Sequence, residues 1–176
     1  METNTVDQTE RVAVTAIDDL LQRHADGPDL GAPELPTPVP SLHVAVVTCM
    51  DARIKVFDVF GLTHGESHIM RNAGGIVTDD VIRSISISQR KLQTREVIVM
   101  QHTRCGLATF TDDEFRAEVA AETGLRPPWA VEAFTDVEQS VRESVERVRR
   151  SPFIPHTDKV RGFVYDVQTA KITEVE

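Results

Sequence analysis

The stretch REVIVMQHTRCG, Arg95 to Gly106, decides the fold. Val97 to Met100 is an uninterrupted apolar run, too short for a core helix and rich in β-branched residues. It suits a strand buried on both faces of a parallel sheet. The run ends on a histidine and, three residues on, a cysteine followed by glycine. A second stretch, VVTCMDARI from Val46 to Ile54, repeats the design. Apolar residues lead into Cys49, Asp51 and Arg53, so both strands deliver metal-binding or charged groups where their apolar runs stop.

Further strands and helices alternate around these two. ESHIMRNAGG (66–75) reads as a strand ending on a glycine pair, and VRGFVYDV (160–167) and KITEV (171–175) as two last strands joined by a short turn. IKVFDVFGL (54–62) reads as a short helix stopped at Gly61. TDDVIRSISISQRKL (78–92) begins on a Thr78 cap with Asp79 and Asp80 at the positive helix end. TDDEFRAEVAAETG (111–124) has the same form. Asp136 to Arg150 places Val137, Val141, Val145 and Val148 on one face, and Pro152 lies beyond its end. Alternating strands and helices predict an α/β fold, a mostly parallel central sheet flanked by helices.

An N-terminal helical arm precedes this body. Residues 8–24 carry helical spacing, with Val12, Ala16, Leu20 and Leu21 on one face. GPDLGAPELPTPVPS (27–41) then holds five of the nine prolines and reads as an extended connector. Residues 1–41 are therefore expected to form the arm and residues 42–176 the globular domain.

Composition narrows the function. A 176-residue chain with 40% hydrophobic residues supports one substantial core. A net charge of -9 disfavours nucleic acid and anionic membranes, while leaving room for a small anion in a locally basic pocket. No stretch approaches the roughly 20 apolar residues that span a bilayer. The first residues lack the basic start and apolar run of a secretory signal, so the expected compartment is the cytoplasm. Its two cysteines would there stay reduced and free to bind metal.

In open α/β sheets ligands bind beyond the carboxyl ends of the strands. Cys49, His102 and Cys105 are all expected there. Two sulfurs and an imidazole suit zinc, and three protein ligands leave its fourth position open. If the chain stays extended past the strand, Asp51 and Arg53 share a side with Cys49, and Arg53 can clamp Asp51 through two hydrogen bonds. Asp51 then either accepts a proton from zinc-bound water or becomes a zinc ligand itself. A buried cysteine alone would be core filler. A disulfide is disfavoured by compartment, and a structural zinc site would need Asp51 as a fourth ligand. A cysteine nucleophile with His102 as base would leave Cys105 and the Asp–Arg pair unexplained. Only three residues separate Cys49 from Arg53, too few for a phosphatase-type loop.

Three motifs together, Cys49-Met50-Asp51-Ala52-Arg53, Arg71-Asn72-Ala73-Gly74 and His102-Thr103-Arg104-Cys105-Gly106, resemble those of the β-class carbonic anhydrases. By motif order the resemblance covers Leu42 to the C-terminus. It implies Zn2+, one per chain, on Cys49, His102 and Cys105, and a catalytic Asp51–Arg53 dyad. It implies reversible hydration of carbon dioxide to bicarbonate and a proton. It also implies a homodimer or dimer of dimers, with the N-terminal helix embracing the partner. In that family the aspartate can become the fourth ligand in an inactive form at lower pH, which extends here to Asp51. Relatives of the same architecture hydrolyse carbon disulfide, and the zinc motif does not separate the two. A non-catalytic zinc- or bicarbonate-binding protein is the alternative of a different class.

Val77, Phe57 and Phe60 are candidate apolar walls, from the same chain or from the second subunit, and His64 a proton shuttle if it faces the pocket. Arg71 is expected to hold a loop or sheet edge. The glycine pair at 74–75 fits a tight turn as well as an anion cradle. Trp129, after Pro127-Pro128, is expected to anchor packing.

Overall fold

The computed structural model describes residues 15–27 and 37–176. The chain divides into two compact units, Met1–Leu35 and Pro36–Glu176. In the first, helix α1 spans Ala16–Asp26, opened by a Thr15–Asp18 capping box. The expected helix began at residue 8; its first part and most of the proline connector lie outside the described residues.

The second unit is built on five strands: β1 (Val44–Cys49), β2 (Ser67–Asn72), β3 (Glu96–His102), β4 (Val160–Tyr165) and β5 (Ile172–Val175). Their order is β2-β1-β3-β4-β5. The first three pairings are parallel and β4–β5 is antiparallel, as the short turn before Lys171 requires. The mostly parallel sheet expected from the sequence is therefore present.

Each face of the sheet is covered. Helices α3 (Asp79–Leu92) and α5 (Val137–Arg150) pack Val81, Ile85, Val141, Val145 and Val148 against Val47, Val97 and Val99. The other face buries Val46, Met100 and Tyr165 with Ile54 and with Val56 of the short helix α2 (Val56–Phe60). Burying one such side chain contributes about 1.5–3 kcal/mol. α5 lies so close to β4 that a Cβ on Gly162 would come within 2.5 Å of Val141 Cγ1. Helix α4 (Asp112–Thr123) is capped by Thr111 and Glu114 and has no fully buried residue.

Strand β1 has β2 on one side and β3 on the other. The chain leaves β1 for one neighbour and later returns to the other, so a crevice opens beyond the β1 and β3 carboxyl ends. Cys49 ends β1 and His102 ends β3. Among the described residues no helix is long and apolar enough to cross a membrane.

Candidate metal centre

Strand β1 is sealed over most of its length, and Cys49 at its end is 4% exposed. The chain following β2 presses against that end. Gly74 and Gly75 adopt φ of 76° and 68°, and a Cβ on Gly75 would lie 2.7 Å from the Cys49 nitrogen and 2.8 Å from the Thr48 carbonyl carbon. The glycine pair is thus a tight turn demanded by close backbone approach. Asn72 braces it by donating from Nδ2 to the Ile76 carbonyl at 2.8 Å.

Past Cys49 the chain turns instead of remaining extended: the Ile54 N–H reaches the Asp51 carbonyl at 3.1 Å. The expected same-side alternation is replaced by an aspartate turn, in which the Arg53 N–H donates to Asp51 Oδ1 at 2.9 Å. The Arg53 guanidinium closes the expected clamp, Nε to Oδ1 at 2.9 Å and Nη2 to Oδ2 at 2.6 Å. Nη2 also donates to the Arg104 carbonyl at 2.9 Å. Arg104 has φ of 56°, an uncommon conformation outside glycine, and it ties the turn after β3 to the turn after β1. Arg71 donates to the carbonyls of Cys49 at 2.9 Å and Asp51 at 2.6 Å, fixing the loop between them.

Cys49, His102 and Cys105 meet in this crevice, with their donor atoms all within 4.8 Å of one another. The two sulfurs are 4.0 Å apart. Sulfurs each about 2.3 Å from one ion at a tetrahedral angle would be about 3.8 Å apart, so the spacing suits a shared cation. His102 is fully buried, and its Nδ1–H donates to the Thr103 carbonyl at 2.9 Å. That bond selects the tautomer whose Nε2 lone pair is free. Among the described residues Nε2 has no hydrogen-bond partner. An orphaned buried nitrogen facing two thiols is the polar arrangement a metal ion completes.

The electrostatics agree. The contact with Cys105 pulls the Cys49 thiol well below its ordinary range, and the same contact, with burial, pushes Cys105 up. A cation held by both sulfurs would displace the remaining thiol proton. Asp51 stands beside the group, its Oδ2 3.7 Å from His102 Nε2. The hydrogen-bonded Arg53 guanidinium, opposed in part by burial, holds the Asp51 carboxyl well below the usual carboxylate range.

A cavity of about 600 Å3 opens against Cys49, Asp51 and Cys105. Its far wall is apolar, formed by Leu107, Phe110, Phe115, Trp129 and Val131. Within one chain, the expected walls do not line this cavity. Val77 is sealed in the core, where its N–H reaches Ser144 Oγ, because the glycine turn sends the chain under α5. Phe57 lines a separate hollow with Lys55 and Asp58. Phe60 packs on the Val46 side of the core. His64 is exposed in the turn before β2, at the opposite end of the sheet. Trp129 does pack on Phe115, ring centroids 6.0 Å apart, but it also faces the cavity. The segment carrying it has no regular periodicity, so only its aromatic character marks it in the sequence.

The fold and the site together define an α/β protein with a cysteine–histidine group at its sheet switch point that could hold a metal ion. A family model described as carbonic anhydrase matches residues 44–130. β-Carbonic anhydrase 1 of Mycobacterium tuberculosis is 48% identical over 162 residues, covering 92% of this chain and 99% of its own. A carbonic anhydrase structure from Streptococcus mutans superposes with a TM-score of 0.85 at 40% identity, covering 92% of this chain and 98% of its own. A carbon disulfide hydrolase of Acidianus is more distant, 33% identical over 153 residues, with 72% of this chain and 74% of its own covered. The chain belongs to the β-carbonic anhydrase family.

Proposed function

We propose that the protein is a zinc enzyme that catalyses reversible hydration of carbon dioxide to bicarbonate and a proton. Cys49, His102 and Cys105 hold the ion in the 42–176 domain, and residues 1–41 form an attached arm. The observation that carries this reading is the unpartnered, fully buried His102 Nε2 facing two thiols 4.0 Å apart beside a clamped carboxylate.

Zinc in that position supplies Lewis acidity, lowering the pKa of water from about 16 to about 7. Asp51 Oδ2 accepts the hydrogen bond of the attacking water and fixes its lone pair toward the substrate. Arg53 holds both Asp51 oxygens, so the carboxylate stays ionised and cannot swing. The apolar wall offers an uncharged carbon dioxide molecule a dry surface. The released proton passes to buffer. Support for Asp51 as acceptor, not fourth ligand, comes from its place beside the three-donor group and from the Arg53 bonds on both its oxygens. The family resemblance extends the proposal to a cytoplasmic homodimer or dimer of dimers, which sedimentation velocity checks.

Metal analysis followed by stopped-flow carbon dioxide hydration tests the reaction, with Cys49→Ser as control. One zinc per chain and fast hydration, both lost in the control, is the expected result. Zinc without hydration but with sulfide released from carbon disulfide would assign the other chemistry. Zinc with neither activity between pH 6 and 9 would leave a binding protein.

A further inference from the structure

Between the end of α4 and the start of α5 the chain runs from Gly124 to Asp136 without helix or strand. Loops of this length inside a compact domain are uncommon and are usually functional or disordered. This one is fastened at three places. The Asp112 carboxylate accepts the N–H groups of Ala133 at 2.8 Å and Glu132 at 3.4 Å. Arg116 donates to the Trp129 carbonyl at 3.4 Å. Arg147 of α5 bridges Glu132 at 3.1 Å and Asp79 of α3 at 2.8 Å. Glu132 adopts φ of 61°, a conformation non-glycine residues keep only when their surroundings enforce it.

What these fastenings hold in place is Trp129. Its ring leans on Phe115, which stacks on Phe110 at 5.5 Å. Yet Trp129 remains 53% exposed, far more than an anchor of the core would be. It lines the 600 Å3 cavity at the metal centre and also a 460 Å3 hollow that reaches none of the three metal-binding residues.

We propose that Trp129 is a specificity-determining wall of the metal-centre cavity, held in position by the Glu132–Arg147 clasp, and that it restricts the site to small substrates. The carbon dioxide part rests on the reaction proposed above; the wall itself does not. The indole presents an apolar face to a small neutral molecule and separates the two hollows. Its removal joins them and admits a ring-sized ligand to the metal.

Trp129→Ala, Trp129→Phe and Arg147→Gln test this in the full chain. Azide and phenylacetate serve as a small and a bulky metal-seeking anion, and their binding is read from the visible spectrum of the cobalt-substituted protein. Trp129→Ala is expected to tighten phenylacetate about tenfold and leave azide unchanged. In the zinc enzyme it raises KM for carbon dioxide about three- to tenfold with kcat within about twofold, the pattern of lost uniform binding. Trp129→Phe stays near the unmodified protein. Arg147→Gln moves phenylacetate binding in the same direction as the alanine variant, by less. Because Trp129 is the single tryptophan, acrylamide quenching of its fluorescence reports the slackened loop directly and should rise in Arg147→Gln.

Unchanged phenylacetate binding in Trp129→Ala overturns the proposal, as does an equal shift for both anions. If the alanine variant does not fold, Trp129→Leu carries the same comparison. A protein that shows no hydration but tightens phenylacetate selectively keeps the wall and loses the reaction, so the two failures are distinguishable.

Discussion

The two ends of the parallel sheet use histidine in opposite ways. At the amino ends, His43 Nδ1 meets the Gln93 carbonyl at 2.9 Å. His68 engages Ser88 Oγ at 2.7 Å and the Pro38 carbonyl at 3.1 Å. Both His68 nitrogens are satisfied, and its ring joins a strand to a helix. At the carboxyl ends, His102 is more deeply buried, yet one of its nitrogens has no partner. Leaving a buried polar atom unpaired costs about 1–3 kcal/mol. A fold retains that cost where something else completes the atom, which separates a ligand from a structural histidine better than residue type does.

The largest effect that could break this contrast is at His102 itself. His102→Ala should abolish tight zinc binding, read by metal content after dialysis, and reduce hydration by at least about 10³-fold. A variant that keeps its zinc and its rate would remove the distinction between the two ends.

Next in size is the clamp. Arg53→Ala should lower kcat/KM by about 10²- to 10³-fold. It should also change the acid side of the pH–rate profile. In the unmodified protein Arg53 keeps the Asp51 carboxyl depressed, so Asp51 remains ionised across the working range and activity is expected to rise with the water's ionisation near pH 7. Without Arg53 the Asp51 value returns toward the ordinary carboxylate, about 3.9, and a second, acid-side loss enters near pH 4. The linkage sign for folding follows the same shift. A depressed native pKa contributes stability above the unfolded value, lost as pH falls through the native one. Arg53→Ala should therefore flatten the acid denaturation profile below about pH 4.

A smaller effect separates geometry from chemistry. Gly75→Ala substitutes none of the three candidate ligands but sets a Cβ 2.7 Å from the Cys49 nitrogen in a left-handed backbone. Strain and overpacking together should cost about 3 kcal/mol or more, seen in urea denaturation. Zinc affinity should weaken with it, because the displaced backbone carries Cys49.

How much of this was legible in the chain differs by distance along it. The strand ends of β1 and β3 were readable because the β-branched runs fix the strands, and H-x-x-C packs two donors into one turn. The Asp51–Arg53 pair was legible as a pair, although its geometry comes from an aspartate turn and not from an extended strand. The cavity wall was not. Leu107, Phe115 and Trp129 come from a turn, a helix and a long loop, and nothing periodic links them. Val77 was misplaced for a related reason. It follows the glycine pair in sequence, but left-handed backbone at two successive positions carries it away from the site and under α5.

The smallest effect sharpens the contrast from the other end of the sheet. His68→Ala removes two hydrogen bonds, one to Ser88 Oγ and one to the Pro38 carbonyl. Ser88 keeps its bond to Thr94 Oγ1 at 2.7 Å, so it is not left unpaired. The loss should be about 1–2 kcal/mol in urea denaturation, with zinc content and hydration rate unchanged. If His68→Ala instead lowered the rate as His102→Ala does, histidines at either end would be acting through the sheet as a whole. The unpaired nitrogen would then no longer distinguish them. A purely stabilising His68 beside an indispensable His102 follows from one physical difference, whether the second nitrogen of a buried ring already has a partner.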